Sequence, residues 1–308
     1  MNTVILGTGG TIAGIASSAA ESINYSVAEI SASQIVSSIP VLDAVPLLAE
    51  QVAQIDSKDM NYQVWRSLVE RVAHYLAKPD VSGIVITHGT DTLEETAYLL
   101  HRVFSPRKPV VLTGSMRPAT SLQADGPQNL LDAVTLARLA GVHGVVTMVA
   151  GTVHGAADVR KVHTYRLNVF GSGDNGPIGY MEGGRLRQLR AWPETDAVGA
   201  AVIPRDDGSW PWVEIVTSHG GADGRLVQAL QTAGVDGLVV ACTGNGTLHD
   251  ALNQALLTAQ DAGVRVLRAT RVAEGSIIPR PFDKLPSACD LSPAKARIVL
   301  LMQLLAAR

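Results

Sequence analysis

Hydroxyl groups set among glycines at the ends of apolar runs are the groups in this chain best placed to do chemistry. Val4-Ile5-Leu6 runs into Gly7-Thr8-Gly9-Gly10-Thr11, and Ile84-Val85-Ile86 runs into Thr87-His88-Gly89-Thr90-Asp91. A short buried strand ending in small residues and a hydroxyl presents a reactive group at the carboxyl edge of a parallel sheet. Two such clusters point to one active site holding Thr11 and Thr90. Gly89 and Thr90 also offer backbone N–H groups beside a strand end, a natural place for an oxyanion or a carboxylate. Pro109-Val110-Val111-Leu112-Thr113-Gly114-Ser115-Met116-Arg117-Pro118 repeats the device, and its backbone could face the same crevice.

Each feature has a plainer structural reading. The dinucleotide pattern G-x-G-x-x-G fits the opening only up to its last position, where Ile12 stands in place of glycine, so that fingerprint fails. Gly9 and Gly10 could simply make a strand-to-helix turn, with Thr11 as a capping hydroxyl, and on local grounds this reading equals the catalytic one. Asp91 precedes a helix whose first turn holds Glu94 and Glu95, so a cap is as good an account of it as a catalytic role. His88, alone between a strand and a glycine, reads as a packing or hydrogen-bonding residue rather than a base.

The elements that must position these groups follow from the pattern. Apolar runs at 3–6, 83–87, 109–113 and 145–149, and again at 212–216, 237–241 and 264–268, alternate with helical periodicity at 62–76, 93–104 and 129–140 and then at 226–233, 251–262 and 293–307. This is the βαβ arrangement of an α/β protein with two doubly wound domains, the larger N-terminal sheet parallel or mixed and the smaller C-terminal one parallel. Between about 183 and 211 the pattern breaks into a stretch bearing arginine, proline and glycine. The expected domains are 1–188 and 212–308, with 189–211 as linker. The small-residue run Ser17-Ser18-Ala19-Ala20-Glu21-Ser22 ahead of Tyr25 reads as part of a mobile flap over about 12–28.

Composition excludes other classes. The 308 residues are 46% hydrophobic and 17% charged, enough for two ordinary cores, and a net charge of −3 without a basic cluster argues against nucleic acid. Cys242 and Cys289 have no metal or disulfide spacing. No export signal or membrane-length apolar run is seen, which reads as cytoplasmic, though a mature exported form would look the same.

The segments "GTGGTIAG" at 7–14, "THGTDTLEETA" at 87–97, "TGSMRP" at 113–118 and "ADGPQNL" at 124–130 together resemble the bacterial-type L-asparaginase family, related to the glutaminase-asparaginases. The resemblance runs nearly end to end, taking in Ser57-Lys58-Asp59-Met60, Asp158-Val159-Arg160-Lys161 and Thr243-Gly244-Asn245-Gly246-Thr247. It implies hydrolysis of a side-chain amide by threonine chemistry, with no metal or organic cofactor. It makes Thr11 the primary nucleophile and Tyr25 the residue closing over it, and Thr90, Lys161 and Asp91 a second triad. Backbone groups at Thr90 and Ser115 would form the oxyanion hole. Ser57 would bind the α-carboxylate and Asp91 the α-ammonium, with Gly10, Lys58 and Asn245 completing the substrate-binding set.

Three positions depart from the family pattern. Lys58 stands where exported members commonly carry glutamine or glutamate against the α-ammonium; two positive charges about 4 Å apart repel by about 4 kcal/mol at an effective dielectric near 20. Lys58 must therefore point away, be paired, or weaken substrate capture. Thr247 replaces a frequent asparagine, and in the compact 275–286 segment Asp283 is a weak candidate for the family's intersubunit glutamate.

The expected function is hydrolysis of L-asparagine to L-aspartate and ammonia. A broader glutaminase-asparaginase, a non-catalytic amino-acid sensor and a tRNA-amidotransferase subunit are the competing readings. The resemblance further implies a homotetramer of two intimate dimers, with no nucleic-acid or membrane partner.

Overall fold

The computed structural model describes residues 1–21 and 23–308; Ser22, the last residue of the small-residue run ahead of Tyr25, lies outside the described residues. These residues divide into two compact units, Met1–Ala200 and Ala201–Arg308.

The first unit is built on an eight-stranded sheet. Its strands are β1 (Asn2–Gly9), β2 (Leu47–Ile55), β3 (Val81–Thr87), β4 (Val110–Thr113), β5 (Val145–Val149), β6 (Thr152–Gly155), β7 (Gly179–Glu182) and β8 (Arg185–Gln188), in the spatial order β8-β7-β6-β5-β4-β3-β1-β2. β2, β1, β3, β4 and β5 run parallel, and β6, β7 and β8 add antiparallel strands at one side. The sheet is therefore mixed. Its parallel part has the order 2-1-3-4-5 of doubly wound sheets, which place a ligand where the winding direction reverses, between β1 and β3.

Register brings the motifs level. Gly7 pairs with Thr87 and Thr87 with Thr113, so the three strand-end clusters finish side by side. Both faces are covered, as a parallel sheet requires. Ile5, Val85, Val111 and Val146 pack with Leu130, Ala133, Val134 and Ala137 of α4 (Gly126–Arg138) and with Ala32 and Ile35 of α1 (Ala32–Ser37). Against the sheet also lie α2 (Tyr62–Leu76), which buries Trp65, Leu68, Val69, Val72 and Tyr75 at helical spacing, and α3 (Leu93–Val103), whose acidic first turn and basic last turn suit its dipole.

The pattern reading passed over the antiparallel strands β6, β7 and β8, and also β2 and α1. β2 is a sheet edge carrying Glu50, Gln51 and Gln54, so it lacks the continuous apolar run of its buried neighbours. α1 spans only Ala32–Ser37 and is held by a capping box between Ser31 and Gln34, too short to show periodicity.

The second unit has a three-stranded parallel sheet, β9 (Val213–Thr217), β10 (Gly237–Cys242) and β11 (Arg265–Thr270), in that order. Leu238, Val240 and Cys242 face α5 (Arg225–Thr232) and α6 (Asp250–Asp261). The closing helix α7 (Pro293–Ala306) packs on all three strands and is apolar around most of its circumference rather than two-faced. Among the described residues no helix is long and apolar enough to cross a membrane.

Candidate active site

The threonine loops meet through glycine. Gly10 has φ 81° and ψ −173°, a backbone shape essentially restricted to glycine, and a Cβ there would lie 2.4 Å from both the Cα and the N of Gly89. A Cβ on Gly89 would in turn fall 2.5 Å from Ser57 Oγ. The loops after β1 and β3 thus touch backbone to backbone, the Ser57 side chain of the loop after β2 lies against Gly89, and side chains from all three loops converge on one cavity.

That cavity, of about 140 Å³, is lined by Thr11, Tyr25, Val27, Asp56, Ser57, Thr90, Asp91, Met116, Lys161 and Thr164. It is smaller than the roughly 300–1,000 Å³ of drug-sized sites and richer in polar groups, as a small polar molecule needs. Five of the expected catalytic side chains form two hydrogen-bonded sets in it. Thr11 Oγ1 and Tyr25 Oη lie 2.9 Å apart. Lys161 Nζ donates to Thr90 Oγ1 at 2.9 Å and to Asp91 Oδ1 at 2.6 Å. Thr90 Oγ1 also lies 3.4 Å from Met116 Sδ.

Tyr25 reaches Thr11 because Ile15–Ala16 and Tyr25–Ser26 pair antiparallel and fold the intervening chain back. Ala16 N–H donates to Thr120 Oγ1, Leu122 N–H to Ala19 C=O and Ala119 N–H to Gly14 C=O, which fasten this hairpin to the loop before α4. Lys161 is placed by its own backbone, whose N–H donates to the carboxylate of Glu94 in the first turn of α3. Arg117, buried, stacks over Tyr165 with its guanidinium carbon 4.0 Å from the ring centre and donates to the Tyr165 carbonyl, joining the Met116 loop to the Lys161 segment.

The "ADGPQNL" motif also acts by positioning. Asp125 accepts from the N–H groups of Met116 and Arg117. Asn129 donates to the Gly114 carbonyl and accepts from Ala150 N–H. Burial raises the Asp125 carboxyl, and those backbone donors oppose the rise. Arg117, Asp125 and Asn129 were quoted as motif letters in the sequence without a role, and Glu94 only as an acid in the first turn of its helix; the strand-end spacing of the motifs was the available signal.

His88 is fully buried. Its Nδ1 is 2.7 Å from the Gly89 carbonyl, which can only accept, so Nδ1 carries the hydrogen and Nε2 accepts from Thr96 Oγ1 at 2.9 Å. Thr96 Oγ1 accepts from Trp65 Nε1, which completes a chain fixing the Thr90 loop. Desolvation lowers the His88 pKa to about 4. It holds the loop as a neutral ring, away from the cavity.

The remaining expected residues are placed as follows. Ser57 lines the cavity, but its Oγ accepts from Asp91 N–H at 3.2 Å. Gly10, Lys58 and Ser115 are not among the lining residues. Gly10 donates its N–H to the Ile55 carbonyl, and Ser115 donates its hydroxyl to the Arg117 carbonyl. Lys58 is exposed, 2.6 Å from Asp59 and 3.4 Å from Asp56, so of the alternatives open to it the structure selects pairing. In the second unit, the Asn245 amide clamps the backbone of Ile278, accepting from its N–H at 2.7 Å. Thr247 bonds back across its turn to Thr243. Asp283 is partly buried between Arg268 and Arg280, whose guanidinium groups hold its carboxyl far below the usual range. It is a structural ion pair within its own unit.

Two family models match the chain: Asparaginase, N-terminal, over residues 2–193, and Glutaminase/Asparaginase C-terminal domain, over 212–308. L-asparaginase 2 of Escherichia coli is 38% identical, over 98% of this chain and 88% of its own. Glutaminase-asparaginase of Pseudomonas fluorescens is 37% identical, over 98% and 86%. The crystal structure of a probable cytoplasmic L-asparaginase from Campylobacter jejuni superposes with a TM-score of 0.89 at 35% identity, covering 98% of this chain and 94% of that one.

Proposed function

The chain belongs to the asparaginase family, and from that premise we propose that it hydrolyses the side-chain amide of L-asparagine to L-aspartate and ammonia. The observation that carries this reading is the convergence of Thr11–Tyr25 and Thr90–Lys161–Asp91 on one small cavity at the sheet's switch point. Thr11 Oγ1 attacks the amide carbonyl carbon, its proton leaving along the hydrogen bond to Tyr25. The backbone N–H of Thr90, on the cavity lining, receives the oxyanion, a role in which one donor is worth about 3–4 kcal/mol of barrier; Ser115, buried off the lining, shapes the neighbouring turn instead. Ammonia departs with a proton, and water cleaves the resulting threonine ester. Lys161, held by Asp91, handles the proton at Thr90 during that second step.

Hydrolysis of glutamine as well is the second reading, favoured by the glutaminase-asparaginase relative. Ammonia release from both amides, for the wild type and for Thr11→Ala, tests the proposal. Asparagine turnover that vanishes in the variant supports it, and no turnover of asparagine by the folded wild type refutes it. The ratio of the two kcat/KM values decides between the specificities.

We further propose, on the family resemblance, a cytoplasmic homotetramer of two intimate dimers. Sedimentation velocity and cell fractionation test it; a monomer, or recovery outside the cytoplasm, refutes it.

A further inference from the structure

Met116 is the sulfur-bearing residue of the cavity lining. It sits half-buried on the turn after β4, with its N–H bonded to the Asp125 carboxylate and its Sδ 3.4 Å from Thr90 Oγ1. A thioether has no hydrogen to give, so Thr90 is the donor in this contact. The same Thr90 oxygen accepts from Lys161 Nζ at 2.9 Å. The resting hydroxyl is therefore oriented: it takes a hydrogen bond from Lys161 and gives its own hydrogen to sulfur. Because sulfur is a weak acceptor, that hydrogen is held loosely and turns away readily when Thr90 reacts. The other methionines are placed differently. Met148, Met181 and Met302 are buried in the cores, Met1 is 80% exposed, and Met60 is half-buried without lining the cavity.

We propose that Met116 is an oxidation site that turns Thr90 off: hydrogen peroxide entering the cavity converts the thioether to a sulfoxide, whose oxygen captures the Thr90 hydroxyl. The inference rests on reading Thr90 as a reacting group of this cavity. In the oxidation a sulfur lone pair attacks one peroxide oxygen, the S–O bond forms as the O–O bond breaks, and the other oxygen leaves as water. Sulfur gives up two electrons and the peroxide takes them. The product is a polar group in place of an apolar one, and its oxygen accepts far more strongly than the sulfur did. Methionine has three rotatable bonds, so the oxidised side chain adjusts within a cavity of about 140 Å³ until that oxygen meets the hydroxyl. The cysteines are poor rivals for this role. Burial raises the Cys242 thiol to about 11, which withholds the reactive thiolate, and Cys289 is exposed in the second unit.

The full chain is treated with hydrogen peroxide, quenched with catalase, and read by peptide mass spectrometry and by ammonia release from L-asparagine. Met116 is expected to gain one oxygen in step with a loss of kcat, at least tenfold at full conversion, while KM stays within about twofold. Saturating L-aspartate is expected to slow oxidation of Met116 at least fivefold and to leave the rate at Met1 unchanged. Met116→Leu removes the sulfur and keeps Cys289, and it is expected to hold its own untreated activity through the same exposure. Met116→Gln puts a carbonyl oxygen in place of the sulfoxide's, and its kcat is expected to lie at least tenfold below that of Met116→Leu. Melting temperatures establish that both variants are folded. The proposal is overturned by Met116 staying unmodified when Met1 is fully oxidised, or by full activity after Met116 has converted. An equal peroxide loss in Met116→Leu overturns it too, as does a Met116→Gln kcat no lower than that of Met116→Leu. Ammonia release by the untreated wild type is scored separately. A protein that turns over no asparagine refutes the activity, and the oxidation of Met116 with its shielding by L-aspartate still decides the modification site.

Discussion

Gly10 and Gly89 are packed so closely that a methyl group on the first would lie 2.4 Å from the backbone of the second. This contact joins the Thr11 loop to the Thr90 loop. Gly10→Ala meets both a backbone shape that L-residues avoid and a collision with main chain, which cannot rotate aside. The expected cost is about 3 kcal/mol or more of stability by urea unfolding, with kcat down at least a hundredfold. A variant unfolding within about 0.5 kcal/mol of the wild type would show that the loops separate easily.

Tyr25→Phe leaves the hairpin pairing of Ala16 with Tyr25 in place, because that pairing is main-chain. It removes only the hydroxyl 2.9 Å from Thr11 Oγ1. The expected result is a fall in kcat of about a hundredfold or more, with KM for asparagine changed far less. Steady-state kinetics with an unchanged kcat would remove Tyr25 from proton transfer.

Lys161→Met keeps the length and apolar stem of the side chain and deletes the nitrogen bound to Thr90 and Asp91. A loss of about 10³-fold in kcat is expected, within the range of general acid–base effects. Combining it with Asp91→Asn should add little, because the two act as one unit. Multiplicative losses in the double variant would show independent roles.

His88 sets an acid limit on stability. Its pKa is about 4 when folded and near 6.5 when exposed, so between those values the unfolded chain binds the extra proton and stability falls as pH falls. The loss over that interval is about 3 kcal/mol. Asp125 and Asp132, whose carboxyls are raised by burial, act in the opposite sense from the ordinary carboxylate pKa upward and so oppose part of this loss. Urea unfolding of the wild type and of His88→Gln from pH 7 to pH 4.5 isolates the histidine, and a wild-type slope no steeper than the variant's would contradict the assignment.

Asn129→Ala strips a partner from the Gly114 carbonyl and from the Ala150 N–H. Each unsatisfied buried group costs about 1–3 kcal/mol, so about 3 kcal/mol of destabilisation is expected. Displacement of the adjoining Ser115–Met116 turn should lower kcat as well. A destabilised variant of full activity, measured below its melting temperature, would separate the motif from the site.

Local sequence was enough to determine the elements whose signal lies in neighbouring residues. The apolar strands ending in glycine and threonine, the helices α2 to α7, the α/β class and the sharing of one site by Thr11 and Thr90 were legible, because burial and backbone shape constrain each position and its near neighbours; Tyr25, Asp91 and Lys161 joined that site through the family resemblance. What the tertiary structure alone decided are pairings between residues far apart in the chain. The edge strand β2, the bond from the Lys161 backbone N–H to Glu94, the Arg117–Tyr165 stack and the pairing of Lys58 with Asp56 and Asp59 depend on which groups meet. Asp56 shows this most directly. In the sequence it is one acid ahead of a serine and a lysine; the turn that buries Ser57 and sends Lys58 outward leaves Asp56 among the residues of the cavity wall.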